Sequence, residues 1–190
     1  MYKLFYAAKS ASMCIRVMLE EIGAPYELIP TSVDRITPCP PEQLAINPNG
    51  KIPALVLQDG TALAESGAML LYLADSSDFL PDDRLARAQV LQWMFFEQYS
   101  HEPYIAVARF WKKHREATPE IEAQLPAKMA SGYAALDVME KQLMQSAWLA
   151  TGRPTIADLA LVSNIFHLGL ADELPTGEST GRWYKAMLEM

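Results

Sequence analysis

The sequence predicts a two-part chain, a small α/β unit followed by an all-α unit, and three observations predict it. Strand-like and helix-like segments alternate through the first seventy-odd residues, with an Asp59-Gly60 hairpin signal among them. A polar stretch with a proline, Ser76 to Asp83, comes next. Beyond it no strand pattern recurs, and long segments with helical spacing of apolar residues run to the end. The division is therefore residues 1–76 as an α/β domain, 77–84 as a linker and 85–190 as a helical domain.

Lys3 to Tyr6 reads as a short strand, and Ser12 to Ile22 as a helix that Gly23 ends. Met13, Ile15, Val17, Met18, Leu19 and Ile22 cover most of that helix, so it should be largely buried. Arg16 and Glu20 stand four apart and can pair on its polar edge. Tyr26 to Ile29 is a second strand. Thr37 to Pro41 holds three prolines and reads as loop, and Gln43 to Ile46 as one helical turn. Ala54 to Leu57 and Thr61 to Ala64 make a hairpin, and Ser66 opens a helix over Gly67 to Ala74. A βαβ unit followed by a ββα unit gives a small α/β sandwich. The second part predicts helices over Leu85–His114, Glu120–Gln145 and Thr155–Leu170, with another beginning at Gly181. The chain stops inside that last amphipathic stretch, which leaves open whether it continues.

Composition narrows the function classes. About half the residues are hydrophobic and the net charge is −7, with no basic run of the kind that makes a nucleic-acid face. The two cysteines, Cys14 and Cys39, form no CxxC pair and have no histidine at metal-ligand spacing, so no metal site is expected. The N-terminus is too short and polar for a signal peptide, and apolar stretches of about ten residues are too short to span a bilayer. A cytoplasmic protein without membrane or nucleic-acid partners is the expectation.

The densest motif lies between Asn47 and Asp75, NPNGKIPALVLQDGTALAESGAMLLYLAD. Pro53 follows Ile52 at a strand start, where a cis bond costs only about 0.5–1 kcal/mol. Glu65-Ser66 sits at a strand-to-helix junction, where Ser66 can cap the helix and its N–H groups can hold an anion. This segment resembles the glutathione-binding core of the cytosolic glutathione transferase superfamily, and is similar to its bacterial members. The N-terminal strand–helix and the helical second half fit the same family, so the resemblance spans essentially the whole chain. It implies a thioredoxin-like glutathione-binding domain followed by an all-helical domain. It also implies that Pro53 is cis and that the backbone of Ile52 pairs with extended glutathione as an added strand. The γ-glutamyl carboxylate would lie at Ser66 and its ammonium at Glu65, the alternative being a plain N-cap with an acid beside it, and Lys51 either meets a glutathione carboxylate or is a solvated surface lysine. Glutathione is then a co-substrate, and no further cofactor is called for.

Such an enzyme needs glutathione as thiolate. Lowering a thiol from about 8.5 by two pH units takes roughly 2.7 kcal/mol. A hydrogen bond to a charged group supplies about 1.5–3 kcal/mol, and a helix N-terminus about 0.3–1. One hydroxyl donor therefore suffices. Three are available, Tyr6, Ser10 and Ser12; the resemblance implies Ser10, which stands where the serine-type classes carry their catalytic serine, with Ser12 near it and Tyr6 where some classes use a tyrosine. Ser10 or Ser12 as a plain N-cap is the alternative. The family's cysteine-type class carries its cysteine where this chain has Ala11, which argues against a mixed disulfide there.

In the second part, Thr155 to Asp158 is a capping-box-like start with a folding role. The aromatic stretch Phe95 to Trp111 is, by resemblance, a wall of the electrophile pocket, with Tyr99, Tyr104, Arg109 and Phe110 as candidates and core or dimer packing as the alternative. The expected function is conjugation of glutathione to a hydrophobic electrophile by a homodimer. Glutathione-dependent peroxidase or disulfide reductase activity, and a non-catalytic binding protein of the same fold, are the rivals.

Overall fold

The structure, a computed structural model, describes residues 1–8, 10–31, 40–166 and 177–190, with the side chains of residues 113, 114 and 166 outside that description. Most of the proline loop expected at 37–41, Cys39 within it, and the end of the helix expected at 155–170 lie outside the described residues. The chain forms two compact units, Met1–Leu80 and Pro81–Met190.

The first unit runs β1 (Tyr2–Tyr6), α1 (Ser12–Glu21), β2 (Tyr26–Pro30), α2 (Pro41–Ile46), β3 (Ala54–Val56), β4 (Ala62–Ala64) and α3 (Ser66–Ala74). The sheet order is β2-β1-β3-β4. β1 and β2 are parallel because α1 carries the chain back between them, whereas β3 is antiparallel to both β1 and β4. Leu4 pairs across to Leu28 on one side and Leu55 on the other. Leu4, Leu55, Ile15, Met18, Leu19, Met69 and Leu70 are all fully buried. Each such side chain contributes about 1.5–3 kcal/mol by leaving water. Gly23 takes φ +62° just past α1, and Arg16 Nε lies 3.9 Å from Glu20 Oε1.

The second unit holds α4 (Arg84–Phe96), a π-helical turn (Glu97–His101), α5 (Glu102–His114), α6 (Pro119–Leu143), α7 (Ile156–Phe166) and α8 (Glu178–Leu188). Asp83 caps α4 by accepting from Ala86 N–H at 2.8 Å. The helix expected to run unbroken over 85–114 is instead widened at residues 97–101. Pro103 explains the correction: it has no N–H for the carbonyl four residues back, and its ring would clash with that carbonyl in a regular helix. The π turn shifts the register, and Glu102 N–H bonds to Glu97 C=O.

Two carboxylates tie distant segments together here. Asp158 is fully buried on α7 and accepts from Leu149 N–H (3.1 Å), Thr155 N–H (2.9 Å), Thr155 Oγ1 (3.1 Å) and Trp183 Nε1 (2.8 Å). Burial pushes its carboxyl up, against those four bonds. It holds orphan donors at the α7 start and anchors α8, a folding role. Glu140 on α6 accepts from Ser179 N–H, Thr180 N–H and Thr180 Oγ1 at 3.0, 2.7 and 2.7 Å, capping α8 from another helix. Partial burial opposes ionisation of Glu140, but these bonds outweigh it and hold its carboxyl below the usual range. Gly177 permits the approach, since a Cβ there would stand 2.1 Å from Glu140 Cδ.

Candidate functional site

Strand register brings the first unit's candidate residues to one end of the sheet. Phe5 pairs with Ala54, and Ala54 with Ala64. The exit of β1 at Tyr6, the entry to β3 at Ile52-Pro53 and the exit of β4 at Glu65 therefore share one edge. α1 and α3 both begin at that edge, because each follows a strand that ends there.

The entry to β3 is a braced loop. Asn47, only 2 % exposed, donates from Nδ2 to Lys51 C=O at 2.8 Å and accepts from Asn49 N–H at 3.0 Å. Gln43 donates to Gly50 C=O at 3.4 Å, and Gly50 at φ +61° closes the turn with N–H to Asn47 C=O at 2.8 Å. The Ile52–Pro53 bond is cis, as the resemblance implied. The N–H and C=O of Ile52 bond to no other described residue, so a peptide edge stands open beside Pro53. Lys51 is exposed. Asn47 and Gln43 escaped the sequence reading as site-forming residues. Their signal was the N-P-N-G turn chemistry itself.

A single residue, Glu65, connects β4 to α3, and it adopts φ +67°, ψ +115°. For a non-glycine residue that conformation costs about 1–3 kcal/mol, and such strain concentrates at functional sites. It leaves the Glu65 side chain exposed at the sheet edge. Ser66 is the first residue of α3, not its cap as expected, and no side chain caps this helix. The reason is the abrupt turn: Glu65 occupies the capping position itself. The first bond inside α3 runs from Met69 N–H to Glu65 C=O at 3.1 Å, so the preceding N–H groups point outward from the helix start.

The hydroxyls form a compact cluster. Ser10 Oγ and Ser12 Oγ both reach Ala7 C=O, at 2.8 and 3.0 Å, and stand 2.6 Å from each other. Ser12 N–H also donates to Ser10 Oγ at 3.2 Å. Ser12 is 2 % exposed and Ser10 is half-buried, so Ser10 is the member nearer the surface. Ala11 occupies the α1 cap position without a side-chain bond. Tyr6 is half-buried, and its C=O accepts from Thr31 N–H at 2.8 Å. Cys14 lies inside α1, buried, with its thiol on Ala11 C=O.

The other four candidates belong to the second unit. Tyr99 lies in the π turn and is 82 % exposed. Tyr104, Arg109 and Phe110 are half-buried on α5. Lys128 of α6 stands over the rings of Tyr104 and Trp111, at 5.6 and 5.1 Å, and Arg115 over Phe110 at 5.4 Å. The π turn also carries a buried polar pair that local sequence did not signal. Glu97 (5 % exposed) accepts from Asn164 Nδ2 at 2.5 Å and Gln98 Nε2 at 2.7 Å, yet burial pushes its carboxyl up to about 7. His101 is wholly buried with both ring nitrogens unpartnered, and burial pulls it down to about 3. Among the described residues no group of His, Cys, Asp and Glu could hold a metal ion, and no helix is long and apolar enough to cross a membrane.

Residues 10–76 match the glutathione S-transferase N-terminal domain and residues 93–175 the glutathione S-transferase C-terminal domain. A solved glutathione S-transferase from Pseudomonas fluorescens Pf-5 superposes with a TM-score of 0.91 at 41% identity, covering 100% of this chain and 95% of that one. A glutathione transferase family member from the same organism, solved with two glutathione molecules bound, gives 0.82 at 30% identity, over 97% of this chain and 87% of that one. The disulfide-bond oxidoreductase YfcG of Escherichia coli K12 is 32% identical over 84% of this chain and 77% of its own length. The chain belongs to the glutathione S-transferase family, with a thioredoxin-like domain followed by a helical one.

Proposed function

We propose that this protein is a glutathione transferase that conjugates glutathione to a hydrophobic electrophile. One observation carries the reading: an open peptide edge beside Pro53, an uncapped α3 start and a hydroxyl cluster all lie at the same end of the sheet. Ile52 N–H and C=O pair with the tripeptide backbone. The α3 N–H groups and Ser66 take the γ-glutamyl carboxylate, Glu65 takes its ammonium, and Lys51 faces a second carboxylate. The strain at Glu65 fits that role, since the turn sets both carboxylate and ammonium partners at one point.

Ser10 donates to the thiolate. Two hydroxyl protons serve three contacts in the Ser10–Ser12–Ala7 cluster. Ser10 can thus turn its proton from Ala7 C=O to sulfur while Ser12, sealed behind it, donates to Ser10 Oγ or Ala7 C=O. Tyr6 is then part of the wall. The thiol proton leaves to solvent, and sulfur forms the new S–C bond as the electrophile's leaving group departs with its electron pair. Tyr99, Tyr104, Arg109 and Phe110 are proposed to contact the electrophile. The protein is further proposed to act as a cytoplasmic homodimer, with domains at residues 1–76 and 85–190.

Disulfide reduction is the second reading, favoured by the likeness to YfcG, named a disulfide-bond oxidoreductase. It uses the same glutathione site, with a disulfide sulfur in place of the electrophilic carbon. Thiolate absorbance titration of bound glutathione tests the shared step. Wild type should hold thiolate at least one pH unit below free glutathione, and Ser10→Ala should raise that midpoint. An unmoved midpoint in Ser10→Ala and a raised one in Ser12→Ala would reverse the assignment. Assays with chlorodinitrobenzene and with a disulfide then separate the two readings.

A further inference from the structure

Arg109 differs from Arg16, Arg115 and Arg182. Its Nε is sealed from solvent and meets no acceptor, and burial lowers its pKa. No carboxylate of a described residue pairs with it. Arg16 has Glu20, Arg182 donates to Leu143 C=O at 2.8 Å, and Arg115 lies on the Phe110 ring. Its neighbours one turn away on α5 are Ile105, Ala106, Lys112 and Lys113, so no carboxylate of the helix stands within one turn of it. In a chain of net charge −7, an acidic partner would have been easy to supply. Sealing Nε fixes the plane of this half-buried guanidinium, while its two terminal nitrogens keep a full charge that no carboxylate of a described residue meets, and an anion there would supply the missing partner.

We propose that Arg109 recognises an anionic group on the second substrate, so that this protein favours carboxylate-bearing substrates over neutral ones of the same shape. The proposal rests on the reading of α5 as a wall of the second-substrate site. With Nε sealed, the fork engages through its two terminal nitrogens, which suit a planar carboxylate bidentately. Tyr104 and Phe110 supply apolar surface on the same helix, so the substrate class is an acidic molecule with an apolar body. A carboxylate of this kind comes from two sources: an aromatic acid electrophile, or the glutathionyl half of a mixed disulfide.

The test compares matched pairs. The first is 4-chloro-3,5-dinitrobenzoate against its methyl ester. The second is the glutathione–mercaptoethanol mixed disulfide against the same disulfide with its glutathionyl carboxylates esterified. Wild type should prefer the charged member of at least one pair in kcat/KM, and which pair it is identifies the source. Arg109→Leu should reduce that preference at least tenfold, with Arg109→Lys retaining part of it. A purely structural role would lower both members together and leave the ratio unmoved, overturning the proposal, as would a wild type with no preference in either pair. Glutathione-induced thermal stabilisation, measured on the same samples, separates the failures. If it is intact while the ratio is unmoved, only the Arg109 assignment falls. If it is missing from wild type, the glutathione site falls as well.

Discussion

The sheet end of the first unit and the π turn of the second both place polar groups out of water, but they satisfy them differently. At the sheet end the side-chain bonds are local: Ser10 and Ser12 to Ala7, Asn47 to Lys51 and Asn49, Gln43 to Gly50. None of these side-chain bonds spans more than seven residues. In the second unit the bonds are long in sequence: Glu97 to Asn164, Asp158 to Trp183, Glu140 to Thr180. Local bonding leaves the sheet end free to present unused donors and acceptors outward, as Ile52 and the α3 start do. Long-range bonding closes the helices on one another, and it still leaves the His101 ring nitrogens unpartnered. The proposed glutathione site uses the first arrangement, and the Asp158 and Glu140 networks use the second.

The largest expected effect breaks the second arrangement. Asp158→Ala leaves Trp183 Nε1, Leu149 N–H and Thr155 N–H buried without an acceptor, and should destabilise by about 3–5 kcal/mol in denaturant unfolding. A loss under 1 kcal/mol would mean that water replaces the carboxylate.

The π turn gives a pH signature. Glu97 stands at about 7 in the fold against 4.5 ordinarily, so the folded state holds a proton that the unfolded one releases. Its stabilising effect is present below about pH 4.5 and is lost as pH rises to about 7. His101 stands at about 3 against 6.5, so its effect is present above about pH 6.5 and is lost as pH falls toward 3. Between about pH 4.5 and 6.5 the two slopes, each about 1.4 kcal/mol per pH unit, oppose each other. Glu97→Gln should therefore lose stability relative to wild type as pH falls from 6.5 to 4.5, by up to about 3 kcal/mol. His101→Phe should move the other way. Chemical denaturation at four pH values reads both, and parallel profiles for the two variants would refute the opposition.

At the sheet end the expected changes concern ligand more than fold. Glu65→Gln removes the charge while keeping the shape, and calorimetry should show glutathione binding weakened by roughly 10–150-fold, the worth of one charge-assisted bond of about 1.5–3 kcal/mol. Stability should barely move, because the side chain is exposed. Gly177→Ala is the smallest expected change: it displaces Glu140 from the α8 start and should cost about 1–2 kcal/mol, leaving glutathione affinity alone.

The same contrast decides what the sequence could reveal. The hairpin, α1 and its Gly23 stop, and the Asn47–Asp75 motif rest on neighbours within a few residues, and all were readable. The π turn was not, although Pro103 marked the conflict, because a helical apolar period continues on either side of it. Residue type points to Ser66 as a cap, but the one-residue turn at Glu65 decides the geometry. Which hydroxyl lies outermost depends on burial that Ser10 and Ser12 do not declare two residues apart. The Glu97–Asn164 and Glu140–Thr180 bonds link residues 67 and 40 apart, where no local pattern reports a partner.

Thermal unfolding of the wild-type protein with and without reduced glutathione tests the sheet-end site most directly. At a hundredfold excess over Kd the account predicts added stability of about 2.7 kcal/mol, seen as a clear rise in Tm that Glu65→Gln at the same concentration largely forfeits. An unchanged wild-type Tm at millimolar glutathione would contradict it.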